Sequence, residues 1–111
     1  MTIKEVKLMI KDMGFPYAYY QFTEDTAKPC PFLAWFFTEN NDMFADDSNY
    51  QAIKTLIVEL CTDDKDYAAE KAVEEVLKAH GMTWSAEEEY IDPESMHMTI
   101  YEMQVVIKEE E

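Results

Sequence analysis

The spacing of apolar residues changes several times along the chain, and each change marks an element. Ile3, Val6, Met9, Ile10 and Met13 recur every three or four residues, the stripe of a short amphipathic helix. Thr2 and Glu5 stand at the N-cap and N3 of a T-x-x-E capping box. Gly14 suits the left-handed position just past the helix end, and Pro16 prevents continuation. Tyr17 to Thr23 and Phe32 to Thr38 are rich in aromatics and predict two strands. The segment from Glu24 to Pro31 between them is polar and holds two prolines, so it reads as a loop, and the strands are expected to be neighbours in a hairpin. The second strand, Phe32-Leu-Ala-Trp-Phe-Phe37, is apolar at every position. That pattern predicts cover on both faces, the core on one side and a neighbouring subunit on the other.

An acidic loop follows from Thr38 to Ser48, and then Tyr50 to Cys61 alternates, with Leu56, Val58 and Leu60 on one face, Glu59 opposite and Lys54 between solvent and edge. From Asp64 to His80 the period becomes helical. Ala69, Ala72, Val73, Val76, Leu77 and His80 share a face, while Glu70, Lys71, Glu74, Glu75 and Lys78 lie outside. Glu74 and Lys78 have the spacing of a favourable i,i+4 pair, and Gly81 closes the helix. Trp84 to Ile91 predicts a strand with an outward acidic run, Glu87-Glu88-Glu89, and Asp92-Pro93-Glu94 a turn. The last strand, Ser95 to Lys108, switches phase. Met96, Met98 and Ile100 share one face, but Tyr101, Met103, Val105 and Ile107 share the other, which predicts a bulge or a change of covering layer. The order α-β-β-β-α-β-β is that of an α+β fold, a mainly antiparallel sheet of about five strands with two helices. One domain is expected over residues 1–108, with 109–111 a frayed acidic tail.

Composition narrows the functional classes. Apolar residues make up 48% of 111, enough to build a core despite the charge. Twenty-four Asp and Glu oppose nine lysines and no arginine, a net charge of −15. Nucleic-acid binding draws on cations to displace counterions and on arginine forks to read bases, so direct DNA or RNA binding is not expected. Attraction to an anionic membrane is not expected either. A solubilising surface explains the acidity most simply, and a face that repels or mimics DNA is the alternative. Cys30 and Cys61 belong to no CxxC or Cys/His cluster and read as small buried hydrophobes of a protein made in a reducing cytoplasm. The first residues lack the apolar stretch of a signal peptide, and no apolar run approaches the roughly 20 residues that span a bilayer.

Candidate chemistry is sparse. His80 has the position of a helix C-terminal cap. His97 is expected on the outward face of its strand, and neither histidine sits in an HExxH, GxSxG or Cys-His signature. The acidic segment Asn40 to Asn49 offers oxygen ligands for calcium but lacks the turn glycine and closing glutamate of an EF-hand, so a solvated loop suits it better. Consecutive glutamates 87–89 on a strand cannot all face one site, and glycines only at positions 14 and 81 leave no phosphate-cradling loop. No catalytic residue, metal ligand or cofactor site is expected. The aromatic strands instead supply more apolar surface than two short helices cover, the mark of an association surface.

Several segments carry a resemblance to a known family: Pro31-Phe-Leu-Ala-Trp-Phe-Phe-Thr38, Asp42-Met-Phe-Ala-Asp-Asp-Ser-Asn-Tyr50, Ile57-Val-Glu-Leu-Cys-Thr62, the Asp66 to His80 helix, Tyr90-Ile-Asp-Pro-Glu-Ser95 and Ile100-Tyr-Glu-Met-Gln-Val105. Together, over most of its length, the chain resembles the tail-completion (tail-terminator) proteins of the head–tail joining region of long-tailed bacteriophages and prophages. The resemblance implies an α+β protein without cofactor that assembles with itself in a ring, usually hexameric. Such a ring ends the tail tube and joins it to the connector, in a virion built in the bacterial cytoplasm. Trp35, Phe37, Met43, Phe44, Asp46 and Tyr50 are the candidates for its contacts. The chain's acidity departs from that family, and the competing expectation is a small acidic DNA-mimic inhibitor of a host DNA-binding protein.

Overall fold

A computed structural model describes residues 1–19, 30–38, 51–91 and 96–108. The elements run α1 (Ile3–Asp12), β1 (Tyr17–Tyr19), β2 (Phe32–Phe37), β3 (Gln51–Thr62), α2 (Tyr67–Ala79), β4 (Ser85–Ile91) and β5 (Met96–Lys108). This is the expected α+β order. The five strands form one sheet in the order β1-β2-β3-β5-β4, antiparallel except for the β1–β2 pair.

Both helices are fixed by their ends. The Glu5 N–H donates to Thr2 Oγ1 at 3.1 Å and the Thr2 N–H to Glu5 Oε1 at 3.0 Å, which completes the capping box. In α2 the Asp66 side chain accepts from the Ala69 N–H at 3.0 Å. Gly14 and Gly81 follow the helices at φ 87° and 72°, a left-handed conformation that a Cβ would strain.

The helices lie on one face of the sheet, and the core is the layer between. Val6, Met9 and Ile10 of α1 and Ala69, Val73 and Leu77 of α2 meet Leu33 and Trp35 of β2, Leu56, Val58 and Leu60 of β3, and the alternate residues Tyr101 to Ile107 of β5. The β3–β5 register is unbroken from Gln51↔Lys108 to Thr62↔His97, so there is no bulge at Ile100–Tyr101. The phase switch has another cause. His97 and Thr99 take the helix-side positions at one end of β5, and the apolar Met96, Met98 and Ile100 fall on the opposite face. That opposite face is apolar as well: Ala34, Ile57 and Cys61 are buried there, and Phe32, Phe36 and Ile100 half-buried.

Two expectations about direction fail. β1 and β2 are neighbours, but parallel, with Tyr17 opposite Leu33 and Tyr19 opposite Trp35, so they are not a hairpin. His97 is not on an outward face; it is buried, with 9% of its surface exposed.

Candidate functional site

The polar groups of the described residues converge where β3 ends and α2 begins. Thr62, the last residue of β3, donates through Oγ1 to the Asp64 carbonyl at 2.6 Å and so turns the chain toward α2. Lys65 then stands just before the N-cap. Its Nζ lies 3.0 Å from both carboxylate oxygens of Glu70, in the first turn of α2, and also pairs with Glu88 of β4. His97 Nε2 lies 3.4 Å from Glu88 Oε1. Glu88 and His97 share the helix-side face because the hairpin register sets Glu88 opposite Thr99 and Tyr90 opposite His97.

The electrostatics follow from those contacts. The hydrogen bond from Lys65 holds the Glu88 carboxyl below the usual range, with the nearby His97 adding to the effect. Glu88 first and Glu70 second raise the Lys65 ammonium above its ordinary value. Beside them, Tyr101 donates its hydroxyl to Glu74 Oε2 at 2.9 Å, and burial together with that carboxylate keeps the phenol protonated. Glu74 therefore turns inward toward Tyr101; the ion pair of spacing i,i+4 seen on α2 is Lys71–Glu75, not Glu74–Lys78. His97 Nδ1 and Thr99 Oγ1 are buried without hydrogen-bond partners.

Glu70, Glu88 and His97 place one donor atom each within 4.8 Å of one another, a spacing that suits a divalent cation. The space between the two carboxylates is taken by the Lys65 ammonium. The chain thus supplies its own cation, and the cluster ties α2 to the β4–β5 hairpin.

An open groove of about 830 Å³ lies where β4 begins at Ser85 while β5 runs on to Lys108. His80, Met82, Trp84, Glu102 and Gln104 line it. At its far end the Met1 ammonium donates to the Val106 carbonyl at 3.0 Å, and the Lys108 N–H donates to the Met1 carbonyl at 2.9 Å. His80 caps α2 as expected.

The residues expected at an interface fare unequally. Trp35 is 3% exposed and packs in the helix-side core, so its side chain offers no surface to a neighbour. It meets Tyr19 edge-on at 4.7 Å and Phe37 at 6.0 Å. Phe37 is half-buried at the rim of the core, with the Lys54 ammonium 5.7 Å from its ring centre. Met43, Phe44, Asp46 and Tyr50, with the rest of the acidic loop, lie outside the described residues. Among the described residues the exposed large apolar side chains are elsewhere: Tyr17 and Tyr19 on edge strand β1, Tyr90 on β4, Val106 on β5, and Leu8 and Tyr67 on the helices.

Two clusters went unnoticed in the sequence. The Glu88–His97 contact follows from the β4–β5 register, which sets Ile91 opposite Met96 and so places Glu88 and His97 on one face. Cys30 and Cys61, 31 residues apart, bring their sulfurs to 2.7 Å. That contact follows once β2 pairs antiparallel with β3, since Phe32 stands opposite Cys61.

No protein-family model matches the chain, and no curated protein matches it. A solved structure does. A chain from the virion of a native gene transfer agent particle superposes with a TM-score of 0.56, over 96% of this chain and 89% of that one. At 11% identity this likeness is one of fold, and it assigns no residue a role.

Proposed function

We propose that this chain is a non-enzymatic structural protein of a phage-like virion, a subunit of the ring that completes the tail tube and joins it to the connector. The observation that carries the reading is the end-to-end fold likeness to a chain of the gene transfer agent virion, which leaves little of either chain unmatched. The sequence resemblance to tail-completion proteins points the same way. Surface chemistry supports it. Tyr17 and Tyr19 expose aromatic surface along a sheet edge, and closed rings are built from such unlike surfaces meeting head to tail. A net charge of −15 without arginine also suits a passage that DNA must cross without being held.

The test is genetic and biochemical. Particles purified from a strain that makes the chain should contain it, together with tail-tube and connector proteins. Deletion of its gene should leave filled heads and tails that fail to join, or tails of uncontrolled length. Particles that lack the chain and assemble normally after deletion would sink the reading.

A further inference from the structure

We propose that Cys30 and Cys61 are a disulfide-forming pair, a covalent modification site at which oxidation ties the segment entering β2 to central strand β3. Three observations carry it. The sulfurs are already 2.7 Å apart, less than an ångström beyond a bonded distance of about 2.05 Å. Phe32 stands opposite Cys61 across the β2–β3 pair, so the register brings Cys30, two residues earlier, to the same end of β3. Their exposures differ: Cys30 is partly accessible, whereas Cys61 is fully buried on the sheet face opposite the helices.

That asymmetry sets the order of events. A peroxide reaches Cys30 first. Its thiolate attacks one oxygen, an S–O bond forms as the O–O bond breaks, and water leaves, giving a sulfenic acid on Cys30. Cys61, already in contact, attacks that sulfur; the S–S bond forms, the S–O bond breaks, and a second water carries off the hydroxyl and the thiol proton. Two thiols are oxidised and one peroxide is reduced to two waters. Because the resolving thiol sits beside the reactive one, closure outruns further oxidation of Cys30.

The biological occasion rests on the virion reading above. A subunit assembled in a cytoplasm keeps both thiols reduced, and a released particle passes into surroundings where nothing re-reduces them. The cross-link would then close after assembly, joining Cys30 to the strand on which β2 and β5 both pair.

The experiment uses the full chain, purified under reductant and then treated with an equivalent of hydrogen peroxide. Expected are a monomer lighter by two hydrogens, loss of both maleimide-reactive thiols, and one non-reducing peptide linking Cys30 to Cys61. The thermal midpoint should rise by several degrees on oxidation and return with reductant, and in Cys30→Ser it should not move. Cross-linked dimers, or Cys30 carried to sulfinic acid while Cys61 stays a thiol, would overturn the pairing. The virion reading fails separately, when the chain is missing from particles; a chain present in released particles with both thiols still free would remove the biological occasion alone.

Discussion

Lys65 shows how one side chain settles what a cluster can do. Its ammonium fills the gap between Glu70 and Glu88, so a chelator should leave the unfolding midpoint of the wild-type protein unchanged. Lys65→Met should move the urea midpoint only slightly downward, because the group is near the surface and screened by solvent. Tyr101 is worth more. Tyr101→Phe removes the bond to Glu74 and should cost about 1–2 kcal/mol. Its pH signature has a definite sign. The phenol is raised in the folded state, so the unfolded chain ionises first, near about pH 10. Stability is therefore intact below that pH and falls as pH climbs above it, and Tyr101→Phe should flatten the fall. Glu59 behaves oppositely with respect to neutrality. Burial on the sheet face away from the helices, helped by Glu89, raises its carboxyl. An ionised Glu59 is a cost above its folded-state pKa that disappears once pH drops below the unfolded value. Glu59→Gln should thus stabilise at pH 7 by less than about 1 kcal/mol after screening, and the gain should vanish in acid titration.

At the scale of elements, helices were far more legible than strand directions. The α1 capping box, the α2 stripe and both glycine stops were all written locally, within four residues of the groups they serve. Asp66→Ala should accordingly cost about 1 kcal/mol through the lost cap, measurable as a shift in the denaturation midpoint. Strand direction has no such local signal. Tyr17-Ala-Tyr19 has the composition of a strand whether it runs with β2 or against it, so the parallel pairing could not be read. The phase of β5 misled for a related reason. Alternation reports which face is apolar, and here the helix-side face turns polar near Lys65 while the other face turns apolar. His97 was misplaced with it, since its helix-side position is set by pairing with Thr62 and Tyr90 and not by its own neighbours in sequence. Trp35 was legible as apolar, but not as core rather than surface. Leu33 and Trp35 face the helices while Ala34 and Phe36 face away, and a strand apolar on both sides gives no sign of which is which.

For the molecule as a whole, charge and apolar surface pull against each other. Copies at −15 each repel one another, whereas exposed tyrosines on β1 and β4 favour contact. Sedimentation should therefore show monomers or weak association at low salt and more assembly as salt shortens the reach of the repulsion. A tight oligomer at low salt that dissociates at high salt would contradict this balance.

The strand order has a consequence for how the chain comes to be folded. β3 is the middle of the sheet, and one of its two partners, β5, is separated from it in sequence by α2 and β4. During synthesis β3 must wait, with one hydrogen-bonding edge open, until everything up to β5 has left the ribosome. Closing so distant a pair is slow, and an edge left open meanwhile invites pairing with another nascent chain. The ribosome-bound intermediate, not the finished fold, is therefore where this chain is most exposed to mispairing.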